Sequence, residues 1–143
     1  RYLKGCEIRG MESFMQSIAQ NNPDFSKATM EYLGRHYGTE YEQVLAIARS
    51  DPAFSEVMTH DGEIMAEVIF AVRNEMARSL SDIVFRRTGI ATLGNPGEVV
   101  LHKIADAAGR ELGWDEARKE EEYLRTVRLL KVPGRDTAAS QAA

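Results

Sequence analysis

The chain has 143 residues, a formal net charge of −4, 43% hydrophobic and 28% charged residues. That balance describes a soluble globular chain long enough to bury a core without disulfides or metals, and it excludes disorder and electrostatic capture of nucleic acid. Its one cysteine, Cys6, makes no internal disulfide, and no apolar run is long enough to cross a bilayer, so the expected setting is reducing and cytoplasmic.

In chain order, Ile8, Met11, Phe14, Met15 and Ile18 recur at three- and four-residue spacing on a short stretch. They predict an exposed apolar stripe that meets a missing partner or a second copy of the chain. Asn22-Pro23-Asp24 predicts a helix start, with Phe25, Thr29, Tyr32, Leu33 and His36 on one side and Gly38 closing it. Thr39 and Glu42 read as a capping box ahead of Tyr41, Val44, Leu45 and Ala48, and Asp51-Pro52 ends that helix. From about Asp61 a further helix should bury Ile64, Val68, Val72 and Met76. Ser79 with Asp82 is a second capping box, which predicts a break near Ser79 and a new helix packing through Leu80, Ile83 and Val84 up to Thr88-Gly89.

Asn95-Pro96-Gly97-Glu98 predicts an N-cap with proline at the first helical position, followed by Leu101, Ile104, Ala105, Ala108 and Leu112 and a stop at Gly113. Asp115 caps the last helix, with Ala117, Leu124 and Val127 on its apolar side and an end at Pro133-Gly134. The mixed charge run from Glu116 to Glu122 reads as a solvated face, and Trp114 as a staple at the start of that helix. The expected architecture is a single compact all-α domain of about six or seven helices. Residues 1–22 read as a junction segment, 23–133 as the helical domain and 134–143 as a disordered tail.

Few side chains carry chemistry. His36, His60 and His102 lack the spacing of a metal pair, and His36 falls on an apolar stripe as a core histidine would. Cys6 has no C-x-x-C partner. No G-x-G-x-x-G turn is present to meet a dinucleotide pyrophosphate, and no D-x-[DN]-x-[DN]-G calcium loop. The charged residues Glu67, Arg73, Glu75, Arg78, Asp82, Arg86 and Arg87 read as a structural network in which arginines tie helices together through Glu67 and Glu75. The alternative is that Arg86 and Arg87 hold a phosphate, onto whose oxygens guanidinium groups fork.

The stretch from Ala66 to Ile90, AEVIFAVRNEMARSLSDIVFRRTGI, closely resembles the C-terminal domain of FAD-dependent glycerol-3-phosphate dehydrogenases of the aerobic, bacterial type. Tyr37-Gly38, the EQVLAIAR segment from Glu42 to Arg49, Asp51-Pro52, Arg86-Arg87-Thr88 and Leu112-Gly113-Trp114 extend the resemblance over roughly residues 30 to 125. Leu3-Lys4-Gly5-Cys6 matches a Leu-Pro-Gly-Gly run of that family except at the proline and the second glycine. The resemblance implies a parent enzyme that oxidises glycerol 3-phosphate to dihydroxyacetone phosphate on FAD and passes electrons to quinone, peripheral to the cytoplasmic membrane. It also implies an FAD-binding body upstream of Arg1, to which the opening on Arg1 rather than Met conforms, and no catalytic or cofactor residue in this stretch. The rival is a free-standing helical interaction or regulatory module; a helix-turn-helix DNA reader is a weaker form of it, opposed by the acidic balance.

Overall fold

The computed structural model describes residues 10–131. These are all-α, and their only extended pairing is one antiparallel bridge between Val57 and Ile64. The elements are α1 (Met11–Asn21), α2 (Lys27–Tyr37), α3 (Tyr41–Ser50), α4 (Met65–Asn74), α5, α6 (Glu98–Leu112) and α7 (Glu116–Leu130). The α-helical start of α5, Leu80–Asp82, continues as a π-helical turn over Ile83–Arg87. The chain divides into two compact units, Arg1–Phe70 and Ala71–Ala143, with the division inside α4.

In the first unit α1 lies against α2, and α2 against α3. Met15 and Ile18 of α1 are buried in a core with Met30, Leu33, Tyr37, Val44 and Leu45, while Met11 and Phe14 pack at its margin. The predicted stripe is therefore not bare: Met15 and Ile18 enter this unit's own core, Met11 and Phe14 pack against it, and Ile8 lies outside the described residues. Gly34 permits the approach of α1, since a Cβ there would stand 2.6 Å from both Ile18 Cδ1 and Met15 Sδ.

The start of α2 also departs from expectation. Ser26, not Asn22, caps it, accepting from the Thr29 amide at 3.1 Å. The Asn22–Asp24 segment is instead a turn held by Arg49 at the end of α3, through Asn22 Oδ1 at 2.8 Å and Asp24 at 2.9 and 3.0 Å. The buried residues of α2 are Thr29, Met30, Leu33, Gly34 and Tyr37, so Thr29 and Leu33 lie inward as expected while Tyr32 and His36 do not. His36 is accordingly exposed rather than in the core, stacked on Tyr32 with ring centroids 3.9 Å apart.

Gly38, at φ 53°, closes α2 as predicted. Thr39 does not cap α3, because Gly38–Glu40 form a 3₁₀ turn that leads directly into it. The inward stripe of α3 is the predicted Tyr41, Val44, Leu45 and Ala48, and Asp51 ends the helix.

The helix α4 begins at Met65, four residues later than expected, because the bridge at Val57 and Ile64 holds the preceding segment extended. Every residue from Met65 to Val72 is buried, as expected of a helix apolar on nearly all sides. Met76 is not part of its buried stripe. The helix ends at Asn74, and Met76 stands 75% exposed at φ 59°. Its left-handed backbone lets the Ala77 amide reach back to the Ala71 carbonyl at 3.0 Å.

In the second unit α5 packs against α6 and α7, which also pack on each other. Leu80, Ile83 and Val84 are buried with Leu101, Ile104, Ala105 and Ala108. Asn95 is not the N-cap of α6: its Oδ1 accepts from the Gly97 amide at 2.9 Å, and the helix starts at Glu98. Gly113, at φ 70°, closes α6 in the left-handed conformation, and Asp115 caps α7 through the Arg118 amide at 2.8 Å. The inward face of α7 is not the expected one. Ala117 and Leu124 are exposed, and the buried residues are Glu122 and Thr126. The helix ends at Leu130; Pro133-Gly134 and the tail fall outside the described residues.

Candidate functional site

The chemistry of the second unit gathers at α5. A helix start leaves its first amide groups without intrahelical acceptors. Ser79 Oγ takes the Asp82 amide at 3.1 Å, which makes the predicted break near Ser79 a real helix start. The Leu80 amide is taken by a residue 42 positions away, Glu122 Oε2 of α7, at 2.9 Å. The other carboxylate oxygen of Glu122 accepts from Arg118 Nη2 at 2.6 Å, and its backbone carbonyl from Thr126 Oγ1 at 2.8 Å. Glu122 is only 1% exposed, so the reading of Glu116 to Glu122 as a solvated face fails at its last residue. A buried carboxylate is tolerated because both of its oxygens are bonded, one by a charged donor.

At the other end of α5, the Thr88 amide and hydroxyl both donate to the Ile83 carbonyl at 2.9 Å. That reach of five residues is the π-helical hydrogen bond, a widened turn often found at functional positions. Between α5 and α7 lies a cleft of about 700 Å³ bordered by Arg78, Asp82, Phe85, Arg86, Arg125 and Leu129. Phe85 is 41% exposed and Leu129 59% exposed. Arg86 reaches Asp82 at 3.4 Å and is otherwise in solvent, while Arg78 and Arg125 make no ion pair among the described residues.

The charged residues singled out in the sequence lie on α4, on α5 and on the segment between them. Glu67 is the third residue of α4, and its Oε2 accepts the Ile64 amide at 2.9 Å, the carboxylate half of a capping box. Arg73 forks onto Glu111 of α6 with both bonds at 2.7 Å. The Arg73 hydrogen bond holds the Glu111 carboxyl below its ordinary range, and burial opposes it only in part. Glu75 is half-buried just beyond α4, Asp82 and Arg86 pair along α5, and Arg78 and Arg87 are exposed. Sequence reasoning missed Glu122, Arg118, Glu111 and Arg125. The four-residue spacing of Arg118 and Glu122 was visible, but nothing local marked Glu122 as facing inward.

Among the described residues no three His, Cys, Asp or Glu side chains converge as metal ligands. An FAD pyrophosphate needs a strand, a glycine turn and a helix, and the described residues do not fit it: Gly94 and Gly97 precede α6 with positive φ, but no strand leads into them. No helix among the described residues is long and apolar enough to cross a membrane.

Comparison with known proteins finds relatives for most of the chain. The family model for the C-terminal domain of alpha-glycerophosphate oxidase matches residues 2–119. A probable mitochondrial glycerol-3-phosphate dehydrogenase of Dictyostelium discoideum is 28% identical over 137 residues, covering 90% of this chain and 22% of that protein. The mitochondrial glycerol-3-phosphate dehydrogenase of Bos taurus is 33% identical over 129 residues, 76% of this chain and 18% of its own length. A glycerol-3-phosphate dehydrogenase of Synechocystis is 34% identical over 88 residues, 60% of this chain and 16% of its own. The chain thus spans about a fifth of the length of these relatives. No solved structure matches. The chain belongs to the family of the C-terminal domain of alpha-glycerophosphate oxidase, a domain it shares with these glycerol-3-phosphate dehydrogenases.

Proposed function

We propose that this chain is a non-catalytic helical domain serving an FAD-dependent parent enzyme. In this reading the parent oxidises glycerol 3-phosphate to dihydroxyacetone phosphate on an FAD held by an upstream body. It passes the electrons to quinone as a peripheral protein of the cytoplasmic membrane. The junction segment, residues 1–22, connects to that body, and the helical domain packs beside it.

The observation that carries the reading is the family match over residues 2–119. Its support in the chemistry is that the buried carboxylates serve the fold: Glu67 and Glu122 each accept an amide at a helix start, and Glu63 accepts from the Thr59 hydroxyl. The test is direct. Purified chain is titrated with FAD by calorimetry and by quenching of flavin fluorescence, and assayed for glycerol 3-phosphate oxidation with an artificial acceptor. Neither binding nor turnover is expected. A stoichiometric flavin complex would overturn the non-catalytic assignment.

A further inference from the structure

We infer that the cleft between α5 and α7 is a binding site for a phosphate-bearing anion with an adjoining apolar part. Three guanidinium groups, Arg78, Arg86 and Arg125, and one carboxylate, Asp82, border a space of about 700 Å³. The lining therefore holds an excess of two positive charges on a chain whose net charge is −4. A cleft of this size is in the range that takes a small molecule or a headgroup. An excess of two charges attracts a phosphate group, whether a dianionic monoester or a monoanionic diester.

The cations are all arginine, whose planar forks bond two phosphate oxygens at once. They are also free to do so. Arg86 is spent only on a contact of 3.4 Å with Asp82 along its own helix, and it is 78% exposed there. By contrast, the arginines with structural duties make short bonds: Arg73 to Glu111 at 2.7 Å and Arg118 to Glu122 at 2.6 Å. The cleft is not wholly polar, because Phe85 and Leu129 leave much of their surface bare beside the cations. Bare apolar surface next to fixed positive charge suits an organic phosphate rather than the inorganic ion.

The floor of the cleft is fixed before any ligand arrives. The Glu122 bond to the Leu80 amide ties the start of α5 to α7 at one end of the cleft. Exposure of the guanidinium groups makes the attraction sensitive to salt. This site does not depend on the parent activity proposed above. Its chemistry has two sources, a free phosphomonoester or the headgroup of an anionic lipid, and the experiment separates them.

The ¹⁵N-labelled chain is titrated with phenyl phosphate and with inorganic phosphate at constant ionic strength set by sodium chloride. Amide shifts are followed from Ser79 to Arg87 and around Arg125. In parallel, the chain is sedimented with phosphatidylglycerol vesicles and with phosphatidylcholine vesicles. Expected is saturable movement confined to the cleft, tighter for phenyl phosphate than for inorganic phosphate, or sedimentation with phosphatidylglycerol alone. Either is weakened about two- to fivefold by Arg86→Gln and by Arg125→Gln, the scale of one exposed ion pair. Lys27→Gln, in the first unit, removes the same charge and should change neither arm. Saturation by phenyl phosphate assigns the site to soluble ligands, and selective sedimentation assigns it to lipid. Both arginines are exposed, so circular dichroism should show unchanged folding in the variants. Failure of both arms, binding equal in the two arginine variants and the parent chain, or equal weakening by Lys27→Gln overturns the site.

Discussion

Glu122→Ala is expected to be the most damaging single exchange on the charged face of α7. The substitution leaves the Leu80 amide, now bonded at 2.9 Å, buried without an acceptor. An unsatisfied buried donor costs about 1–3 kcal/mol. Removing the methylene packing adds about 0.8 kcal/mol. The lost bond to Arg118 adds less than its 2.6 Å length suggests, because the arginine is 43% exposed and its guanidinium rehydrates when released. About 0.5–1 kcal/mol is reasonable for that part. Together these give about 2–5 kcal/mol, or a fall in Tm of about 6–15 °C for a domain of this size. Glu122→Gln keeps an acceptor for Leu80 and loses only the charge, so it should cost about 1 kcal/mol. Trp114 is the chain's one tryptophan and lies in the second unit, so its fluorescence in urea reports that unit while far-ultraviolet dichroism reports both. A loss under about 0.5 kcal/mol for the alanine variant, or a glutamine variant as unstable as the alanine one, would refute the reasoning.

Three further outcomes are expected. Met76 holds φ 59° with its side chain in solvent, so Met76→Gly should stabilise the chain by about 0.5–1 kcal/mol in urea unfolding, whereas an unchanged midpoint would mean the strain is absent. Ser79→Ala removes the acceptor for the Asp82 amide and should cost about 0.5–2 kcal/mol, read by the same Trp114 signal. Glu111 has its folded pKa depressed, first by the Arg73 hydrogen bond, so its contribution is fully present above its ordinary value of 4.5 and is lost as pH falls through the lower folded value. Below pH 4.5 the parent chain should therefore lose Tm more steeply than Arg73→Gln, and parallel curves would count against that pairing.

Much of the helical order was legible from one sequence because helix starts and stops are local. Gly38, Asp51, Gly113 and Asp115 act through their own backbone or through an amide three residues away, and the structure uses each as expected. The stripe of α3 and the break at Ser79 were equally local. The candidate cleft was only half visible, since Arg86 stood in a marked motif while Arg125 lay in an ordinary charge run.

What the sequence alone determined is the all-α class, the punctuation between helices and the family signature centred on Ala66 to Ile90. What tertiary structure decided is which face of α1 and of α7 is covered, and by what. Met11, Phe14, Met15 and Ile18 looked like a face awaiting a partner, yet Gly34 lets α1 settle onto α2 and cover them. Glu122 looked like one more solvated acid, yet the start of α5 needed an acceptor for the Leu80 amide and α7 supplies it. Apolar periodicity marks where a stripe lies but not what will cover it. A polar group turns inward only when a distant segment brings its hydrogen-bond partner, and for Glu122 that segment begins 42 residues earlier in the chain.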